Sequence, residues 1–170
     1  MVRGIDATLI LVLGPKGSGK AAFARCFKNS FLRTFPLLSL EEGIGKRASF
    51  CHLTDLKNAD EIALIQRAKD RGFKIVCYCL FAARILCQER NRFKELSKGN
   101  LLNSFLFREE YENFYDRVIS LYPYLDMVFF VENQKYFSFV GVYNYSSVPS
   151  SLFEKALRKE KGSCDKIFKS

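Results

Sequence analysis

The chain has 170 residues, 48% of them apolar, so it is about the size of one domain and can bury a sizeable core. Its 27 lysines and arginines against 18 acidic residues give a net charge of +9, which favours phosphate-bearing ligands, nucleic acid or an acidic partner without choosing among them. A single histidine, His52, argues against a multi-histidine metal site, and the six scattered cysteines indicate reduced thiols and no disulfide framework.

The first apolar run is too short for a signal peptide and leads directly into a glycine-rich turn. No other stretch approaches the length of a membrane span. From these features we expect a cytoplasmic protein that has no membrane contact.

The run from Thr8 to Leu13 predicts a strand buried on both faces of a parallel sheet. Three glycines follow it, and a helix is predicted from about Gly19 to Leu32. Glycine allows the chain to aim successive N–H groups at one anion, and the helix directs its positive dipole end to the same place. We therefore predict binding of a nucleotide or a phosphate group here, with Lys20 supplying a mobile positive charge. The predicted phosphate-binding residues are Gly14, Pro15, Lys16, Gly17, Ser18, Gly19, Lys20, Ala21 and Ala22.

The pattern G-x-x-x-x-G-K normally continues with a serine or threonine whose hydroxyl binds Mg²⁺, but Ala21 stands at that position. A bound nucleotide would therefore need another ligand for its Mg²⁺. The alternative interpretation of the stretch is a strand-to-helix turn that binds no ligand.

Two acidic groups that follow the loop in the chain are candidates for catalytic roles. A short strand is predicted from Leu37 to Leu40, and just beyond it Glu41 or Glu42 could act as a general base or could belong to a solvated helix end. A further strand is predicted from Ala48 to Leu53. Asp55 comes after its end, where α/β proteins place ligands, and is a second candidate acid or a helix cap.

A helical pattern from Asn58 to Arg71 and a buried strand from Phe73 to Leu80 complete a β-α-β unit, which predicts a right-handed crossover and a parallel sheet. A basic helix from Phe81 to Glu95, a break around Gly99 and a long helix from about Asn103 follow. This arrangement is typical of a kinase lid, which would close and bring arginines onto the transferring phosphoryl group. Our candidates are Arg84, Arg92 and Arg108; alternatively they pair with surface glutamates.

The strand predicted from Asp126 to Glu132 is followed by a segment, Tyr136 to Val142, that could extend the sheet. We assign residues 1–145 to one domain. Residues 146–170 are expected to form a linker, a short helix and a flexible basic tail.

In this order of elements the chain resembles the zeta-toxin-like P-loop kinases. The resemblance implies an α/β fold of three layers, the P-loop NTPase fold of the kinase type, with a parallel sheet and a helical lid. It also implies ATP-dependent phosphoryl transfer to a hydroxyl of a small molecule, a nucleotide-sugar in the toxins proper, and a protein antitoxin as a partner. The matching stretches are residues 12–20, 49–54 and 64–75, followed by the lid helices.

The chain departs from this family at Ala21 and Ala22, which replace a hydroxyl pair, and at Leu53, where relatives have a carboxylate beside the threonine. Two hypotheses follow: an active small-molecule kinase, or a degenerate pseudokinase that binds nucleotide without turnover and serves as an interaction module. Nucleic-acid binding through the net charge has no recognition motif behind it.

Overall fold

The computed structural model describes residues 7–28 and 35–166. Five strands and six helices lie in this part of the chain. They are β1 Thr8–Leu13, α1 Lys20–Lys28, α2 Leu40–Lys46, β2 Phe50–Thr54, α3 Ala59–Asp70, β3 Lys74–Phe81, α4 Arg84–Leu96, α5 Ser104–Leu121, β4 Met127–Asn133, β5 Phe137–Tyr143 and α6 Ser150–Lys166, with a 3₁₀ turn at Tyr122–Tyr124.

The five strands form one sheet in the order β2-β1-β3-β4-β5. The pairs β2–β1, β1–β3 and β3–β4 are parallel, and β5 pairs antiparallel with β4 at the edge. Consecutive parallel strands are joined through helices, as crossover connections require. The predicted parallel sheet and its β-α-β unit are confirmed.

Helices cover both faces of the sheet. Along β1, Leu9 and Leu11 belong to one buried cluster, whereas Ile10 belongs to a second cluster with Phe23 of α1. Because successive side chains of a strand point to opposite faces, this apolar strand is buried on both sides. The first cluster also contains side chains of α2, α3, α5 and α6. The three-layer α/β fold is therefore confirmed.

The prediction of a strand from Leu37 to Leu40 is wrong, because only Leu37 pairs with another strand. Leu37 forms an isolated parallel bridge with Cys51, and Leu40 begins α2. The cause is a helix cap, because the Ser39 hydroxyl accepts a hydrogen bond from the Glu42 N–H. The cap at Ser39 therefore favours a helix in this segment, although the short apolar run is typical of a strand. Of the helix predicted up to Leu32, the part from residue 29 onward lies outside the described residues.

Two further helices differ from expectation. α4 begins at Arg84, because β3 extends to Phe81. α6 has 17 residues where a short helix was expected, and it buries Phe153 and Leu157 in the same core as the sheet. The predicted flexible end, residues 167–170, lies outside the described part. No helix among the described residues is long and apolar enough to cross a membrane.

Asp126, just before β4, joins the two central parallel strands to α3. Its Oδ2 accepts a hydrogen bond of 2.7 Å from the Ile75 N–H, and its Oδ1 lies 2.5 Å from the Lys69 Nζ. We expect Asp126→Asn to lower the free energy of unfolding by about 1–2 kcal/mol, because the amide nitrogen cannot accept a hydrogen bond and the ion pair is lost. Urea denaturation measures this, with the exposed Asp70→Asn as the matched control; equal midpoints for the two variants would contradict the prediction.

Candidate functional site

The glycine-rich loop connects β1 to α1 at the carboxyl end of the parallel strands. The Gly14 N–H donates to the Thr54 carbonyl oxygen of β2 (3.3 Å), and the Ser18 N–H donates to the Pro15 carbonyl oxygen (3.0 Å). Gly17 and Gly19 have φ values of 86° and 94°, which strongly favour glycine. The first N–H groups of α1 have no acceptor inside the helix, so the loop presents donors and a positive helix end.

Lys20, the first residue of α1, folds back over the loop. Its Nζ donates to the carbonyl oxygens of Gly14 (2.6 Å) and Pro15 (3.2 Å). Burial lowers the pKa of Lys20 from its ordinary value, and the nearby Asp55 carboxylate opposes that shift. A partly desolvated ammonium that contacts neutral carbonyl groups is suited to bind a phosphate.

α4 and β4 pack against the loop from behind. The Arg90 guanidinium donates to the Gly17 carbonyl oxygen (3.1 Å), and the Asn133 Nδ2 donates to the Ser18 carbonyl oxygen (2.7 Å). A Cβ added to Gly17 would lie 2.4 Å from the Cys87 backbone oxygen. One on Gly19 would lie 2.3 Å from the Asn133 amide nitrogen. These contacts fix the shape of the loop and require glycine at both positions.

Two polar groups beside the loop are removed from solvent. The Ser18 hydroxyl is buried and makes no hydrogen bond to any residue that the structure describes. It faces Gly14, because a Cβ on that residue would lie 2.2 Å from the Ser18 Oγ. Burial raises the pKa of the Cys87 thiol to about 12, although the positive charges of Arg90 and Lys20 oppose the shift. Cys87 therefore stays a neutral thiol and is unsuited to act as a nucleophile.

Asp55 stands at the end of β2 beside Lys20. Leu56, the next residue, has φ 56°, which is unusual for a side chain other than glycine. Two local hydrogen bonds hold this turn: the Leu56 N–H donates to the Thr54 hydroxyl (2.8 Å), and the Lys57 N–H donates to the Asp55 Oδ1 (3.2 Å). The strained turn directs Asp55 into a cleft that Pro15 also lines.

Glu61 of α3 is a second carboxylate whose charge acts on Lys20. The Thr54 hydroxyl donates to its Oε2 (2.6 Å), and the His52 Nε2 lies 3.1 Å from its Oε1. The other ring nitrogen of His52 lies 3.0 Å from the Leu38 carbonyl oxygen, which can only accept a hydrogen bond. The imidazole ring of His52 therefore lies between the Glu61 carboxylate and the Leu38 carbonyl group.

An open cleft lies between the loop, the end of β2 and the helices α4 and α5. Its outer part has a volume of about 200 Å³, whereas the inner part beside Asp55 has space for only about 10 Å³. Two ion pairs cross it. The Lys16 Nζ lies 3.6 Å from a Glu95 carboxylate oxygen of α4, and the Lys57 Nζ lies 2.5 Å from a Glu110 carboxylate oxygen of α5.

The structure brings the predicted loop residues, Lys20 and Asp55 together at one end of the sheet. It does not bring the other candidates there. Glu42 is exposed on α2 and pairs with Lys46 at 2.7 Å. Arg92 and Arg108 are exposed and make no ion pair with another described residue. The Arg84 N–H donates to the Asp165 carboxylate (2.9 Å).

Sequence reasoning missed three residues of this site: Arg90, Asn133 and Glu61. Arg90 could have been found from the helical period, because it follows the buried Cys87 by three residues whereas Arg92 points away from that face. Asn133 ends a parallel strand at the edge of the sheet where ligands bind. Glu61 gives no such signal, because an acidic residue in the first turn of a helix is common.

No protein-family model matches the chain, and no curated protein matches it. Solved structures do. A structure from the PezAT chromosomal toxin–antitoxin system of Streptococcus pneumoniae is similar with a TM-score of 0.59 and 12% identity, over 95% of this chain and 87% of that one. A candidate kinase from Chloroflexus aurantiacus gives 0.52 and 12% identity, over 91% and 98%. The chain thus has the P-loop kinase-like fold that the sequence resemblance implies.

Proposed function

We propose that this protein binds ATP and transfers a phosphoryl group to a hydroxyl of a small molecule. The observation that supports this most directly is the glycine-rich loop with the partly buried Lys20 ammonium over it. The loop N–H groups, the α1 N-terminus and Lys20 together form a site for a polyphosphate chain. The kinase-like fold agrees with the proposal but does not establish it.

Asp55 is the best-placed carboxylate for the acceptor. It lines the cleft next to the loop, so a hydroxyl that enters there could give its proton to the Asp55 carboxylate as its oxygen attacks the γ-phosphorus. The bond from the γ-phosphorus to the β–γ bridging oxygen would break in the same step, and ADP would leave. Lys20 would stabilise the charge on the phosphate oxygens. Arg90 already contacts Gly17, and its remaining N–H groups could supply further positive charge. Arg92 and Arg108 remain predicted contributors that would need a movement of the lid, and Glu42 remains a predicted base.

Mg²⁺ fits the site with few protein ligands. Ala21 offers no hydroxyl, the Ser18 hydroxyl is buried, and the Thr54 hydroxyl already bonds to Glu61 and Leu56. The Glu61 oxygens already contact Thr54 and His52, which leaves the Asp55 carboxylate as the more available oxygen ligand beside the loop. Its roles as Mg²⁺ ligand and as base are alternatives. Mg²⁺ is commonly held by one or two carboxylates together with phosphates and water, and when bound it would offset phosphate charge.

A second candidate function is nucleotide binding without turnover. Ala21 and the exposed positions of Arg92 and Arg108 favour it. The acceptor class, a nucleotide-sugar or another hydroxyl compound, and an antitoxin as protein partner both rest on the resemblance and remain predictions.

Thermal unfolding with ATP, with and without Mg²⁺, tests both functions. At 100 times the dissociation constant, binding should stabilise the fold by about 2.7 kcal/mol, which raises Tm by about 5–10 °C. A shift that requires Mg²⁺ supports the kinase, and a shift independent of Mg²⁺ supports the binding module. The absence of any shift with either would contradict both proposals.

A further inference from the structure

The cleft beside the loop continues past Asp55 to two cationic side chains. Lys57 follows the strained turn after β2, and Arg117 projects from α5; both line the inner part of the cleft. The positive charge of Arg117 works against protonation of Lys57, which places the two cations near each other. Like charges at the end of a cleft are unfavourable unless an anion lies between or beside them.

In the ligand-free protein Glu110 supplies part of that negative charge. Its carboxylate lies 2.5 Å from the Lys57 Nζ, and this contact raises the pKa of Lys57. Arg117 makes no ion pair with any residue in the described part of the chain. Asp55 lines the same part of the cleft, and its negative charge also raises the pKa of Lys57, so two carboxylates, Glu110 and Asp55, face the two cations.

The wall of the cleft is apolar. Phe107, Tyr111 and Phe114 of α5 line it, and the Tyr111 hydroxyl points away from the cleft to donate to the Ala82 carbonyl oxygen (2.9 Å). These three side chains are almost fully buried, so the apolar surface that they offer to the uncharged part of a ligand is small.

The ion pair between Lys57 and Glu110 is exposed, with 64% and 37% of the two side chains accessible. Such pairs contribute little to stability, so a ligand anion can take the place of the carboxylate at small cost. We propose that Lys57 and Arg117 form an anion subsite for the acceptor, which therefore carries a phosphate or carboxylate group, and that Glu110 occupies this subsite until the acceptor binds. The anion subsite itself does not depend on the proposed function; only its assignment to the acceptor does.

Titration of the protein with inorganic phosphate and, separately, with succinate tests this, followed by the NMR signals of Lys57 and Arg117. Glu110→Gln should tighten binding about two- to fivefold, because the competing carboxylate is removed. Lys57→Gln or Arg117→Gln should weaken it about tenfold, since each removes a charge-assisted hydrogen bond. The matched controls are the neighbouring exposed Glu109→Gln and the exposed Lys155→Gln, which change net charge equally.

Stronger binding of phosphate than of succinate would identify a phosphate-bearing acceptor, and the reverse a carboxylate. If Glu110→Gln and Lys57→Gln change affinity no more than their controls do, the subsite is refuted. Because the Lys57 and Arg117 signals report this site apart from the loop, the two proposals fail separately. Anion binding that depends on Lys57 but occurs without any ATP-dependent Tm shift would leave the subsite standing and refute the kinase.

Discussion

Replacing Gly17 by alanine is expected to lower the free energy of unfolding by about 2–4 kcal/mol and to weaken ATP binding. Gly17 has φ 86°, a conformation that alanine adopts only with strain. The added Cβ would also lie 2.4 Å from the Cys87 backbone oxygen and 3.0 Å from the Asn91 amide nitrogen. Backbone of α4 cannot rotate away as a surface side chain can, so the loop and the helix must separate.

The matched control is Gly45→Ala in α2. No atom lies within 4 Å of a Cβ added there, and alanine favours a helix over glycine by about 1 kcal/mol. Gly45→Ala should therefore be neutral or slightly stabilising. Urea denaturation and ATP titration of both variants measure the two effects. If Gly17→Ala unfolds at the same urea concentration as Gly45→Ala, the close packing of α4 on the loop is refuted.

The strand, loop and first turn of α1 could be predicted from sequence because each part depends on local residue chemistry. Continuous apolar residues from Leu9 indicate a buried strand, and two glycines of the loop, Gly17 and Gly19, occupy positions with φ above zero. The same logic located Asp55, because the carboxyl ends of parallel strands meet at one edge.

The supports of the loop could not be predicted in this way. Arg90 contacts a residue 73 positions earlier in the chain, and Asn133 contacts one 115 positions earlier. The helical period can place Arg90 on the buried face of α4, and strand order can place Asn133 at the ligand edge of the sheet, but the contacts with Gly17 and Ser18 depend on how α4 and β4 pack in three dimensions. The wrong prediction of a strand from Leu37 has a local cause. The helix cap at Ser39 was present in the sequence, and it favours a helix.

Lys20→Met is expected to weaken ATP binding about 100-fold and to abolish phosphoryl transfer, yet leave the ligand-free fold as stable as before or more stable. Methionine keeps most of the aliphatic stem and removes the charge. The Lys20 ammonium contacts the carbonyl oxygens of Gly14 and Pro15, and no carboxylate in the described part of the chain forms an ion pair with it. Removing it therefore relieves a desolvation penalty at the expense of two hydrogen bonds.

The lowered pKa of Lys20 gives this prediction a pH dependence. Between the lowered native value and the ordinary lysine value, the unfolded chain binds more protons at this side chain than the native protein. The Lys20 contribution to stability therefore rises with pH across that window, and below it the charged form remains unfavourable in the fold. The stability advantage of Lys20→Met over the wild type should be largest at neutral pH and shrink as pH increases towards 10.

Lys46→Met is the control for both effects. Lys46 is exposed and forms an ion pair with Glu42, so its removal should slightly lower stability and leave ATP binding unchanged. Urea midpoints at pH 7 and pH 9.5, together with ATP titration, distinguish the two lysines. A Lys20→Met protein that binds ATP as the Lys46→Met protein does would remove the loop from the proposed function. Retained stability with lost ATP binding is expected only if Lys20 serves the phosphate and not the fold.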